Sequence, residues 1–184
     1  TARADRGADI NRRRYLRLMD PAPAGWWMPA GGSSALGVTC SAGSRPAPAS
    51  PVVVRAAADG GRRLALTFDM GGRLTPAVAI LERLLVERAC TTVFPTGAAI
   101  ATAEGSAAMA IVRAHPELFE VGNHTMHHCN LRDGGGGVAC PATRPSAAFV
   151  AGELADAATA IRAATGQSPA PYWRPPYGAV DGAL

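Results

Sequence analysis

From Pro51 onward, short apolar runs alternate with segments of helical spacing, and no other feature constrains the fold as tightly. Leu64 to Phe68, Thr91 to Phe94 and Leu118 to Val121 read as buried strands. Pro171 to Trp173 could begin a fourth. Between them, Thr75 caps a helix with Pro76 at its first position, and Val78, Ile80, Leu81, Leu84 and Leu85 keep helical spacing through Arg88. Pro95 and Gly97 stop the second strand, a helix runs from Glu104 to Ala114, and a third runs from about Ser146 to Thr165. Strand–helix alternation of this kind argues for an α/β fold with a parallel sheet or barrel. Four such units make half a barrel, so the reading is of a domain truncated at its C-terminus.

The chain has 184 residues, 48% apolar and 17% charged, enough for one domain with a core. Its net charge of +4 invites a nucleic-acid partner, but the distribution argues against one. All 18 basic residues are Arg, and the first 17 positions hold six of them against two Asp. The remainder, with 12 Arg against 12 acids, is neutral. No run approaches the roughly 18 apolar residues of a membrane span. No feature specifies an oligomeric state.

Arg12-Arg13-Arg14-Tyr15-Leu16-Arg17 resembles a twin-arginine export signal, although Asp20, Pro21, Pro23 and Pro29 interrupt the apolar stretch behind it. The competing reading is a basic tail. Residues 1–40 are therefore expected to be an export leader, with the protein in the cell envelope or outside the cell. Residues 41–61 are Pro/Ala/Ser/Gly-rich linker, and 62–184 are the domain.

Three of the four histidines lie within Asn123-His124-Thr125-Met126-His127-His128. One helical turn would bring His124 and His128 onto one face, where two neutral imidazoles can share a metal. The bland reading is a solvated polar loop. His127 would then point elsewhere, and His115 is a helix-end residue. Asp69 ends a strand before Met70-Gly71-Gly72, a plausible place for a general base or simply for a turn. Arg174, in Arg174-Pro175-Pro176-Tyr177-Gly178, could pair with it across the fold or belong to a Pro-rich surface segment.

Together, Leu66-Thr67-Phe68-Asp69-Met70-Gly71, the Asn123–His128 motif and Arg174–Gly178, in that order, resemble the first three motifs of the NodB-type polysaccharide deacetylases (carbohydrate esterase family 4). Thr92-Val93-Phe94-Pro95-Thr96-Gly97 is similar to that family's second strand. The resemblance covers roughly residues 62–180. It implies a distorted (β/α) barrel and metal-assisted hydrolysis of acetyl groups, amide-linked or ester-linked, on a polysaccharide such as peptidoglycan. It casts Asp69 as the base, His124 and His128 as ligands of a divalent metal (zinc first), and Arg174 as the partner of Asp69. Pro175 and Tyr177 would meet substrate, the backbone N–H of Tyr177 stabilising the oxyanion.

Two departures stand out. Met70 occupies the position of the family's acidic third ligand, and a thioether is a poor donor to hard or borderline ions. The family's later motifs, including the His that protonates the leaving group, have no counterpart before Leu184, so this stretch alone is expected to be inactive. Two rivals follow: a glycan-binding relative that has lost the metal site, and a cyclic-amide hydrolase of the same superfamily. Cys129 and Cys140 flank the Gly-rich loop, either as a disulfide or as two free thiols, and Cys90 reads as a core residue.

Overall fold

The computed structural model describes residues 66–171 and 173–181; the expected leader and linker, with Leu64, Ala65 and Tyr172, lie outside them. Strands β1 (Thr67–Met70), β2 (Thr91–Pro95) and β3 (Phe119–Val121) form one parallel sheet in the order β1-β2-β3. The helices are α1 (Ala77–Val86), α2 (Gly97–Ile100), α3 (Ala103–Ala114) and α4 (Ala147–Thr165). Parallel strands need long crossovers, supplied here by α1 between β1 and β2 and by α2 and α3 between β2 and β3. Among the described residues no helix is long and apolar enough to cross a membrane.

Strand residues alternate between the two faces of a sheet, and the register divides this one cleanly. Phe68, Val93 and Val121 align on one face, with Met70 beside Pro95. That face packs under the helices with Leu81, Leu84, Met109, Val112 and Ile161. The opposite face carries Thr67, Thr92 and Glu120 in one row and Asp69 beside Phe94 in the next. Burial of the first face drives the fold, and the polar residues Thr67, Asp69, Thr92 and Glu120 gather on the second.

Several boundaries differ from the sequence expectation, each for a local reason. Pro95 does not stop β2 but ends inside it, because a terminal strand residue can do without its N–H. Thr96 then caps α2, an extra turn of helix, its Oγ1 accepting from Ala99 N at 3.1 Å. Thr75 does not cap α1: Pro76 holds the cap position and no side chain bonds there. The expected fourth strand is reduced, among the described residues, to one parallel bridge between Asn123 and Trp173. Ser146 and Thr102 cap α4 and α3 through their hydroxyls, and Gly166, at φ 72°, closes α4.

Cys90 packs against the core as expected, but it is half-buried and disulfide-bonded rather than a buried thiol. Cys129 and Cys140 are joined to each other, so the Gly-rich loop is closed covalently.

The join between α2 and α3 depends on Gly105, where a Cβ would run into the carbonyl of Ala99. Gly105→Ala should gain about 1 kcal/mol of helix propensity but lose more to a backbone clash that no side chain can relieve, with overpacking typically costing about 1–3 kcal/mol. The expected outcome is a lower urea midpoint at unchanged slope.

Candidate active site

Every candidate residue lies at the carboxyl ends of the parallel strands, where α/β folds gather their chemistry. Asp69 is the penultimate residue of β1, the histidines follow β3, and Arg174 follows the Asn123–Trp173 bridge. Arg174 joins them. Its backbone N–H donates to Asn123 O at 2.8 Å, and its own carbonyl accepts from His124 Nδ1 at 2.7 Å. Its guanidinium donates through Nη1 to Asp69 Oδ1 at 2.6 Å and through Nη2 to Thr67 Oγ1 at 3.0 Å. The same group lies 4.2 Å above the centre of the Phe94 ring. A planar, permanently charged fork can meet all three partners at once; an ammonium could not.

The histidines are brought together, but not by a helix. Residues 124–128 form a loop in which Thr125 and His128 take left-handed backbone conformations, at φ 71° and 61°. Asn123 Oδ1 accepts from Thr125 N at 2.8 Å, and Thr125 Oγ1 accepts from His128 N at 3.2 Å, which folds the segment back on itself. The rings of His124 and His128 end 4.9 Å apart between centroids, at 72°. Gly71 allows this, since a Cβ there would collide with the His128 ring. The Gly71-Gly72 turn therefore serves close approach as well as chain reversal.

Burial lowers the pKa of both rings, opposed in each case by the negative charge of Asp69. Both are consequently neutral near pH 7, the form that binds a metal. Donation from Nδ1 of His124 to a carbonyl leaves its Nε2 with the lone pair. Tyr177 closes the group from the Arg174 side: its ring meets His128 edge-on at 4.8 Å, and its backbone is left-handed at φ 60° within the short turn Pro176–Gly178. Pro175 leads into that turn in extended conformation.

The donor set for a divalent ion falls one ligand short. Among the described residues no three His, Cys, Asp or Glu side chains converge. Met70, next to Asp69, points to the opposite face and is 4% exposed in the core, so its sulfur does not substitute. Two residues escaped the sequence reading. Phe94 underlies Arg174, and Glu153 of α4 accepts from His127 Nδ1 at 2.6 Å. The clue to Glu153 was its place, with Ala157, Ile161 and Thr165, on the buried stripe of α4. His127 does point away from the pair, and His115 ends α3.

A sequence model of the family described as polysaccharide deacetylase matches residues 56–184. No curated protein sequence matches significantly. Among solved structures, the chain is similar to a family 4 carbohydrate esterase from Bacillus anthracis, with 27% identity, TM-score 0.50 and 62% of this chain and 48% of that one covered. It is also similar to the peptidoglycan deacetylase PdaC from Bacillus subtilis, with 28% identity, TM-score 0.50 and coverage of 65% and 52%. A CE4 family pseudoenzyme from Bacillus anthracis, 21% identical with TM-score 0.55 over 72% of this chain and 42% of that one, shares the fold. The chain thus spans about half the length of the structures it matches.

On the same sheet face as Asp69, Glu120 accepts from Thr92 Oγ1 at 3.0 Å, and burial pushes its pKa up from 4.5 to about 8. Between those values the folded chain binds more protons than the unfolded one, so this group's contribution to stability is lost as pH rises from 4.5 to 8. Relative to Glu120→Gln, the wild-type urea midpoint should fall across that window.

Proposed function

Because the chain belongs to the polysaccharide deacetylase family, we propose that it hydrolyses acetyl groups from an N-acetylated polysaccharide, with peptidoglycan the first candidate. The Asp69–Arg174 pair beside two neutral imidazoles carries this reading. Similarity to a peptidoglycan deacetylase supports the substrate class, and the bonded Cys129–Cys140 pair supports an exported location.

In the proposed reaction Asp69 accepts the proton of the attacking water. Arg174 holds Oδ1, which leaves Oδ2 for that proton, and its charge keeps the carboxylate oriented toward the histidines. The backbone N–H of Tyr177 donates to the oxygen of the acetyl carbonyl as it gains charge, a contribution on the order of 3 kcal/mol. Its exposed ring, at 53%, offers an apolar surface to a sugar. A divalent ion such as zinc, held through His124 and His128, would supply Lewis acidity toward the same carbonyl. With two protein donors instead of three, its affinity should be low.

The packing of Met70 favours a second reading: a glycan-binding protein in which this chemistry is impaired. Acetate release and bound metal, measured on the full-length protein with an N-acetylated glycan oligomer, separate the two. For the deacetylase, Asp69→Asn should lower acetate release by roughly 10²–10⁴-fold. If the wild type releases no acetate and holds no metal, the binding reading stands.

A further inference from the structure

We propose that Glu153 is a positioning residue that sets the arrangement of His124 and His128 from outside the site, acting through His127. The inference rests on the reading of those two imidazoles as the working pair. The Glu153 side chain is 4% exposed, and both of its oxygens bond the same residue. Oε2 accepts from the backbone N–H of His127 at 2.9 Å, and Oε1 accepts from its ring Nδ1 at 2.6 Å. The next residue of α4 repeats the grip at the other end of the loop, where the carbonyl of Leu154 accepts from Asn123 Nδ2 at 2.9 Å. One turn of α4 therefore holds Asn123, which precedes His124, and His127, which precedes His128.

Two costs argue that this contact does more than satisfy an acid. Glu153 sits on the stripe of α4 that also buries Ala157, Ile161 and Thr165, where an apolar side chain would pack without desolvating polar oxygens. His128 holds a left-handed backbone, which a side-chain-bearing residue keeps only where its surroundings impose it. The amide that Glu153 fixes is the one immediately before that strained residue. Glu153 touches neither ring of the pair, so its effect is geometric. It stands to the histidine loop as the outer partner of a ligand stands to a metal site.

The test uses full-length protein with chelator present, so that the rings are observed without metal. Amide hydrogen exchange and ¹⁵N-resolved histidine ring spectra are compared for wild type, Glu153→Ala, Glu153→Gln and the exposed control Asp156→Asn, one turn along the same helix. Glu153→Ala should speed exchange at His127 and His128 by about tenfold or more and shift the ring signals of His124 and His128, while Val93 and Val121 in the sheet stay protected. Glu153→Gln keeps an acceptor for the backbone N–H but turns an NH₂ toward the ring. It should preserve protection at His128 while moving the His127 proton from Nδ1 to Nε2. Asp156→Asn should match wild type.

Wild-type exchange at His128 together with wild-type ring signals in Glu153→Ala would overturn the proposal. If that variant does not fold, Glu153→Gln decides alone: an unchanged His127 tautomer overturns the proposal, and a switched one supports it. In an acetate-release assay, Glu153→Ala should lower kcat about 10–100-fold with KM little changed. A wild type that releases no acetate counts against the deacetylase reading and leaves the ring and exchange results to judge this one.

Discussion

Arg174 is the residue on which the site depends. Its backbone completes the bridge that brings residue 173 beside residue 123, and its carbonyl sets the tautomer of His124. Its side chain spans 105 positions of sequence to hold Asp69, with a second bond to Thr67 and the Phe94 ring beneath. Only 15% of that side chain is exposed, so the charge is largely removed from water and needs its partners. One residue therefore ties together three strand ends that share no local sequence. The geometry of Asp69 and His124 cannot be changed independently of it.

The second constraint is the two-residue period of β1. Asp69 and Met70 are neighbours in the chain and face opposite sides of the sheet, one toward Arg174, the other into the core with Leu81 and Val93. A thioether at position 70 is thus well placed as a hydrophobe and useless as a donor. At 4% exposure Met70 contributes a buried apolar contact under the helices.

Much of this is legible in the sequence. The periodicity of Val78 to Leu85 located α1, because that face must be buried whatever it packs against, and the helix expected from about Ser146 to Thr165 matches α4. The motifs around Asp69, His124 and Arg174 named three segments far apart in the chain, and the structure brings them together at the strand ends. The helical turn expected at 124–128 failed for a physical reason. Spacing of four is equally compatible with a loop, and here Thr125 and His128 take left-handed backbones in a segment hydrogen-bonded to α2 and α4, with Gly71 leaving room for the His128 ring. The short α2 was missed because four residues carry no periodicity, and only Thr96 as cap betrays it.

By itself, then, the sequence determined which residues are polar at strand ends, which faces are apolar, and the order of strands and helices. These follow from local preference and from the need to bury one face of each element. Tertiary structure alone decided that Asp69 meets Arg174, that His127 turns to Glu153 rather than toward its neighbours, and that Met70 leaves the site for the core. Each is a contact between residues far apart in the chain or a choice between two faces. Such choices are settled by packing and by the cost of leaving a buried charge unpaired, neither of which a linear pattern records.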